Sequence, residues 1–370
     1  MRLIVAQESD SERLKKFFSE QQVPGVVTYQ VERHGSFFDK YRMQSDDFVT
    51  FMLIDRQDQI QGTATSVFRK GVLNGVEQNI AYAMDLRISK SRKAVMQWAN
   101  LFLDNFDIEL KNRNCLYTFS AIERTESQAY NALIRPRHSR RKLPRYYLYR
   151  QLYAVSIHGS WPLAPDPLVS LKIENGSKAS SQEIYDYIEN KKKDKSIFFP
   201  LTYDQFDARL KKWRGLDWTD FIIARDSKNN ICGCLAPWDS SHIQSLKVLE
   251  YSGRSHLLYQ GLEFARVFRL GNRLPHLGDN LPAVYLTHLE VDNPDIFYTL
   301  LCEAQDRLED NQFLLYGAFK GDYTLRPPRS QIFAQIPYGL YSVLRPQQKF
   351  PDFLRPNPWI PPPNLDLAEL

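Results

Sequence analysis

Apolar and polar positions fall into two periods along this chain, and the switches between them mark its elements. Leu3 to Ala6 is a short apolar run, followed by Ser9-Asp10-Ser11-Glu12. Ser9 and Glu12 have capping-box spacing: a hydroxyl accepts the free N–H three residues on, and the carboxylate reaches back. Leu14, Phe17 and Phe18 follow at helical spacing, so a strand and then a helix are predicted. Far downstream, Leu171-Lys172-Ile173 precedes Ser180-Ser181-Gln182-Glu183, the same box, with Ile184, Tyr187 and Ile188 behind it.

That likeness is one of a series in fixed order, the mark of an internal repeat. Phe51 to Asp55, a polar turn and Ile60 to Gly62 read as a hairpin, and Phe221 to Arg225 with Ile231 to Gly233 read the same way. Tyr82 to Ile88 ends in Leu-x-Ile, and Tyr285 to Val291 ends in Leu-x-Val. Helical patterns follow at Val95 to Phe106 and Ile296 to Leu308, then apolar strands at Leu116 to Ala121 and Phe313 to Phe319. Leu152 to Val155 is echoed by Leu340 to Val343. The pattern predicts two domains of one design, residues 1–158 and 169–345. A proline-rich linker, 159–168, joins them. The fold class is α/β, an α+β type of mixed, mostly antiparallel sheet flanked by helices in each domain. Both halves are expected to bury Phe51 or Phe221 and Leu86 or Leu289. The second carries an insertion, Leu246 to Asn280, with a predicted helix. The tail, 346–370, holds seven of the 21 prolines and reads as an extended wrap or a disordered end.

Composition sharpens this. With 43% hydrophobic and 25% charged residues, the 370-residue chain has the makeup of a globular protein. Its apolar runs fall short of the roughly 20 residues that span a bilayer, and the N-terminus has no signal-peptide pattern, so no membrane partner is expected. Cys232 and Cys234 form a lone C-x-C, which makes a metal site unexpected. Buried free thiols suit a reducing, cytoplasmic location. Net charge is +5, yet Arg135, Arg137, Arg140, Arg141, Lys142, Arg145 and Arg150 carry seven positive charges with no acid between Glu126 and Asp166. Tyr146, Tyr147 and Tyr149 interleave there. The segment reads as a solvated loop, a phosphate-binding loop or a nucleic-acid surface.

The element order resembles the GNAT superfamily of acyl-CoA N-acyltransferases, in tandem, over both halves. The resemblance implies that the Leu-x-Ile end of the strand, Leu86, Arg87 and Ile88, pairs its backbone with the pantetheine arm of acetyl-CoA or another acyl-CoA. It implies pyrophosphate at the next helix start, where Arg92, Lys93 and Ala94 stand in the family's Arg/Gln-x-x-Gly-x-Gly/Ala motif without its glycines. Free N–H groups and basic side chains can hold phosphate there. In the second half Asp292-Asn293-Pro294-Asp295 occupies that place, and two carboxylates would repel it. Catalytic candidates are Tyr82 on the Leu86 face of the strand, Glu77 as the nearest carboxylate in the same half, and Tyr130 near the family's acid tyrosine. Asp85, Arg87 and, in the second half, His288 are expected on the opposite face. The reaction implied is transfer of an acyl group, acetyl in the simplest case, to a small-molecule or peptide amine from the N-terminal domain. Two alternatives stand beside it: a binding or scaffold protein on a fold that has lost CoA chemistry, and an aminoacyl-tRNA transferase, similar in architecture to Fem-type peptidyltransferases.

Overall fold

Phe51-Met52-Leu53-Ile54 is apolar at every position because both faces of its strand are covered. In the computed structural model all residues are described except 126–129, 135–142, 168–169, 267–271, 273, 347 and 358. The side chains of 130, 132, 254, 265 and 266 also lie outside the description. The first half contains strands β1 (Arg2–Val5), β2 (Gln22–Val23), β3 (Val27–Arg33), β4 (Phe48–Ile54), β5 (Ile60–Leu73), β6 (Val76–Ile88), β7 (Cys115–Glu123) and β8 (Arg145–Ser160). Its helices are α1 (Ser11–Ser19), α2 (Asp39–Arg42) and α3 (Arg92–Asn112). The second half contains β9 (Lys172–Asn175), β10 (Ile197–Phe198), β11 (Ile222–Arg225), β12 (Ile231–Asp239), β13 (Gln244–Tyr251), β14 (Ala283–Val291), β15 (Phe313–Phe319) and β16 (Gln331–Leu344). Its helices are α4 (Ser181–Lys192), α5 (Tyr203–Leu210), α6 (Arg254–Arg266) and α7 (Pro294–Asp306).

The strands of the two halves lie in one sheet. Its order is β1-β4-β5-β6-β7-β16-β8-β15-β14-β12-β11-β9, which reads the same from either end once equivalent strands are matched. Each half lends its last strand to the other. Strand β8, which the sequence pattern assigns to the first half, pairs with β15, with Tyr316 opposite Val155. Strand β16 pairs with β7, with Tyr341 opposite Ser120. The two lent strands also pair with each other over the sheet's centre, from Gln331–Ser160 to Leu344–Arg145. In the insertion, α6 forms where a helix is predicted, and β13 crosses to β3 to make a separate small sheet with β2. A second cross-connection pairs β10 with the end of β5.

Helices cover both faces of the large sheet in each half. Phe51, Leu53 and Ala64 pack with Trp98 and Phe106 of α3, while Met52 and Ile54 face Leu14 and Phe18 of α1. In the second half Ile222 and Ala224 meet Ile296, Phe297 and Leu300 of α7, and Phe221 and Ile223 meet Ile184, Ile188 and Phe206 of α4 and α5. Phe51 and Phe221 are buried as expected, but Leu86 is 38% exposed. The Ser180–Glu183 box forms, its hydroxyl accepting from Glu183 N–H at 3.1 Å and its carboxylate from Ser180 N–H at 3.3 Å. The Ser9–Glu12 box does not: Asp10 takes the Gln7 N–H at 2.9 Å in a preceding 3₁₀ turn, so α1 starts at Ser11.

Lending the last strand has a consequence for folding. Residues 1–158 alone leave β7 without its β16 neighbour, an unpaired edge in the middle of an apolar sheet. The full chain is expected to unfold in urea in one transition, and residues 1–158 expressed alone to show no cooperative transition. A native-like transition in that fragment would contradict the shared sheet.

Candidate functional site

Strands β6 and β7 run parallel and pair only from Asn79–Cys115 to Tyr82–Phe119. Beyond that point they part, although β6 continues to Ile88 and β7 to Glu123. Two local features produce the fork. The Tyr82 hydroxyl is inserted where the ladder stops and accepts the Ala121 N–H at 3.1 Å. A bulge then interrupts β6: Thr65 pairs with Met84 and Thr63 with Arg87, and between them Asp85 adopts φ 55°. Asp is among the few non-glycine residues that enter this left-handed region readily. The β7-facing backbone of Met84 to Ile88 is left without a ladder partner, a row of donors and acceptors that a ligand can complete.

The fork opens into a cavity of about 2010 Å³. One wall is the β6 end and the apolar face of α3, with Val95, Met96 and Phe102. Tyr29, Val31 and Arg33 of β3 close a second side, and Tyr146, Ala154 and Tyr338 of the two lent strands form the floor. Val95 and Met96 are roughly half exposed, at 49% and 55%, so α3 presents apolar surface to open space.

Of the residues predicted for the cofactor, Leu86, Arg87 and Ile88 line the cavity, whereas Arg92, Lys93 and Ala94 lie beside it at the start of α3. Leu86 is exposed because its strand has left β7, which reverses the expectation of burial. Ile88 turns to Gly62 and the Trp98 side of the sheet. Ala94 is buried, and its N–H goes to the capping Ser91 hydroxyl at 3.4 Å, a long bond that a bound anion could displace. Arg92 and Lys93 are exposed at the first two positions of α3. Arg87 lies over the Phe18 ring at 3.9 Å.

The catalytic candidates fare differently. Tyr82 is buried at the fork and lines the cavity. Burial pushes its hydroxyl well above the usual tyrosine range, so it stays protonated and keeps a proton to donate while it accepts the Ala121 N–H. Glu77 does not reach the cavity. It is exposed beside the β5–β6 turn, opposite Val72, roughly 20 Å along the strand from Met84 at ~3.3 Å per residue. Tyr130 opens a short π-helical segment, Tyr130–Ile134, but its side chain lies outside the described residues. Most of the basic segment, 135–142, also lies outside them. Its two described arginines hold the tail: Arg145 donates to the Gln348 carbonyl at 2.7 Å and Arg150 to the Ile360 carbonyl at 3.0 Å.

Alternation by twos missed Asp85. The bulge turns it into the cavity wall, where its carboxylate accepts from Arg33 Nη2 at 2.7 Å and from the Tyr41 hydroxyl at 2.9 Å. Arg33 and Arg87 outweigh its desolvation and hold its pKa below the usual value. A sequence signal existed: Asp85 and His288 each directly precede the leucine of the matched motifs, and both have positive φ.

The second half repeats the fork and closes it. Strands β14 and β15 pair only from Ala283–Phe313 to Tyr285–Leu315, and β14 carries its bulge at His288, φ 51°. The turn Leu367–Glu369 fills the opening. Asp366 accepts the His288 N–H at 3.0 Å, and Leu367 lies against Gly317 of β15. Both halves grip the turn: Lys40 donates to the Ala368 carbonyl, Gln44 to the Glu369 carbonyl at 2.6 Å, and Arg69 and Arg209 pair with the Glu369 carboxylate. The tail is thus held against the body, and its last turn is not a free end. At the start of α7 the Asn293 side chain accepts from the Asp295 and Ile296 N–H groups, so that helix end is already satisfied. His288 is packed among Phe206, Trp213 and Phe221, and burial lowers its pKa to about 3. Among the described residues no group of His, Cys, Asp or Glu is arranged to hold a metal. No helix among them is long and apolar enough to cross a membrane.

No known family profile matches the chain, and no curated protein matches it. Solved structures do. A GCN5-related N-acetyltransferase from Sphaerobacter thermophilus aligns over 94% of this chain and 97% of its own, at 11% identity and TM-score 0.56. N-myristoyltransferase of Saccharomyces cerevisiae, with bound myristoyl-CoA, aligns over 93% and 78%, at 7% identity and TM-score 0.55. A probable N-acyltransferase from Enterococcus faecalis aligns over 94% and 73%, at 10% identity and TM-score 0.50. The chain has the GNAT fold.

Glu369 supplies a test of the closed fork. Its two arginines outweigh desolvation and lower its pKa from 4.5 to about 2. The folded value is depressed, so the pair contributes stability above pH 4.5 and loses it as pH falls toward 2. Glu369→Gln should cost on the order of 3 kcal/mol at pH 7, because it strands buried arginines. In urea unfolding that deficit should shrink between pH 4.5 and 3. A deficit undiminished at pH 3 would contradict the ion-pair account.

Proposed function

We propose that the protein is an acyl-CoA-dependent N-acyltransferase working from its first half, with an acyl chain longer than acetyl. The observation that carries this reading is the open fork leading into an apolar cavity beside α3. The unpaired backbone of Met84 to Ile88 offers the pantetheine arm a strand-like partner. The start of α3, with Arg92 and Lys93, offers the pyrophosphate free N–H groups and two exposed cations. Val95, Met96, Phe102 and Phe106 provide apolar surface for a chain, which an acetyl group would not cover. The myristoyl-CoA bound in the structurally similar yeast enzyme is consistent with such a volume. The second fork is occupied by the protein's own turn, which favours one cofactor per chain.

In this reading the residues divide the work. Tyr82, kept protonated by burial, donates toward the departing thiolate. Asp85 stays ionised beside Arg33 and contributes negative charge near the incoming amine rather than strong basicity. A catalytically silent binding protein would have the same fold, so turnover separates the two.

Calorimetry with tetradecanoyl-CoA should give one site per chain, with acetyl-CoA binding at least tenfold more weakly, the share expected of lost apolar contact at ~0.8 kcal/mol per buried CH₂. Arg92→Ala with Lys93→Ala should weaken both thioesters by a similar factor. Two sites, or equal affinity for the two thioesters, would reject the reading.

A further inference from the structure

Arg87 is left over when the charges around the fork are paired. Its guanidinium lies over Phe18 at 3.9 Å and lines the cavity, and it has no hydrogen-bond or ion-pair partner among the described residues. Asp85 is the carboxylate nearest to it in the same wall. One Asp85 oxygen already takes both Arg33 Nη2 and the Tyr41 hydroxyl. Arg33 is fixed by that pair and by the rings of Phe18, Phe37 and Tyr41, 5.6–5.7 Å away. Lys40 is turned away to the Ala368 carbonyl. Two guanidiniums therefore share one carboxylate. A mostly buried cation without a partner is costly, and an arginine stacked on a ring is pre-organised to receive a planar anion in its fork.

The position says which substrate brings that anion. Arg87 projects to the side of β6 that carries Phe18 of α1 and, through Asp85, Arg33 of β3. The apolar face of α3, where the acyl chain is placed, lies on the opposite side with Trp98 and Ile88. The same wall includes Gln21, Gln22 and Val26, so this side of the cavity opens at the α1–β3 connection.

We propose that Arg87 is a carboxylate-binding residue for the acceptor: the amine that is acylated also carries a carboxylate. The inference rests on the acyl-transfer reading for the word acceptor, but the subsite itself does not. A single surplus charge matches a carboxylate better than a phosphate dianion. Arg87 binds and orients. It makes and breaks no bond.

The test follows the guanidinium Nε–H signal of Arg87 by nuclear magnetic resonance in the whole protein, assigned with Arg87→Lys. Benzoate is titrated, with benzamide and inorganic phosphate as the other arms. Benzoate should move the signal saturably and benzamide should not, and Arg87→Met should weaken benzoate binding roughly tenfold, as for loss of a charge-assisted pair. Benzoate should still bind the thioester-loaded protein. If the thioester fails to bind wild-type protein while benzoate moves the signal, the subsite stands and the acyl-CoA reading falls. An unmoved signal, equal benzoate binding by Arg87→Met, preference for phosphate, or displacement of benzoate by the thioester would overturn the proposal.

Discussion

The structure depends on where two parallel strand pairs stop. Beyond Tyr82–Phe119 and Tyr285–Leu315 the sheet forks, and each fork strands backbone N–H and C=O groups that must find partners. The two halves meet that demand differently. In the second, the turn Leu367–Glu369 enters, and Asp366 takes the His288 N–H. In the first, no described segment enters, and a large cavity remains. One repeat thus gives one closed and one open site, although both carry the same bulge.

The exchange of last strands makes the two sites parts of one body. Strands β8 and β16 lie side by side at the centre, so the floor of the first-half cavity includes Tyr338 from the second half. The plug of the second fork is in turn held by Lys40, Gln44 and Arg69 from the first. Charge inside the molecule follows this division. At the closed fork Arg69 and Arg209 both pair with the Glu369 carboxylate, whereas at the open one Asp85 pairs with Arg33 and Arg87 has no ion pair among the described residues.

Much of this was legible in the chain. The repeat and the fork-end leucines could be read because apolar runs buried on both faces, such as Phe51 to Ile54, are locally conspicuous. Partner identity was not legible: Leu152 to Val155 reads as a buried strand, but nothing local says that its neighbour is β15. The site was only half legible. Leu86 and the start of α3 do stand beside the fork, whereas Asp85 was passed over as a cavity residue, since counting by twos assumes a strand without a bulge. Glu77 was chosen as the nearest carboxylate in sequence, and an extended strand carries it away from the fork. The capping box at Ser9 failed because Asp10 competes for the same turn and Ser11 is committed to the Phe37 N–H at 2.8 Å.

Hydrogen–deuterium exchange on the full chain, with and without tetradecanoyl-CoA, tests the asymmetry of the two forks most directly. The thioester should slow exchange in peptides covering Met84 to Lys90 and the first turn of α3. Peptides covering Leu286 to Ile296 should already be protected and should not change. Protection appearing at Leu286 to Ile296, or absent at Met84 to Lys90, would contradict the account.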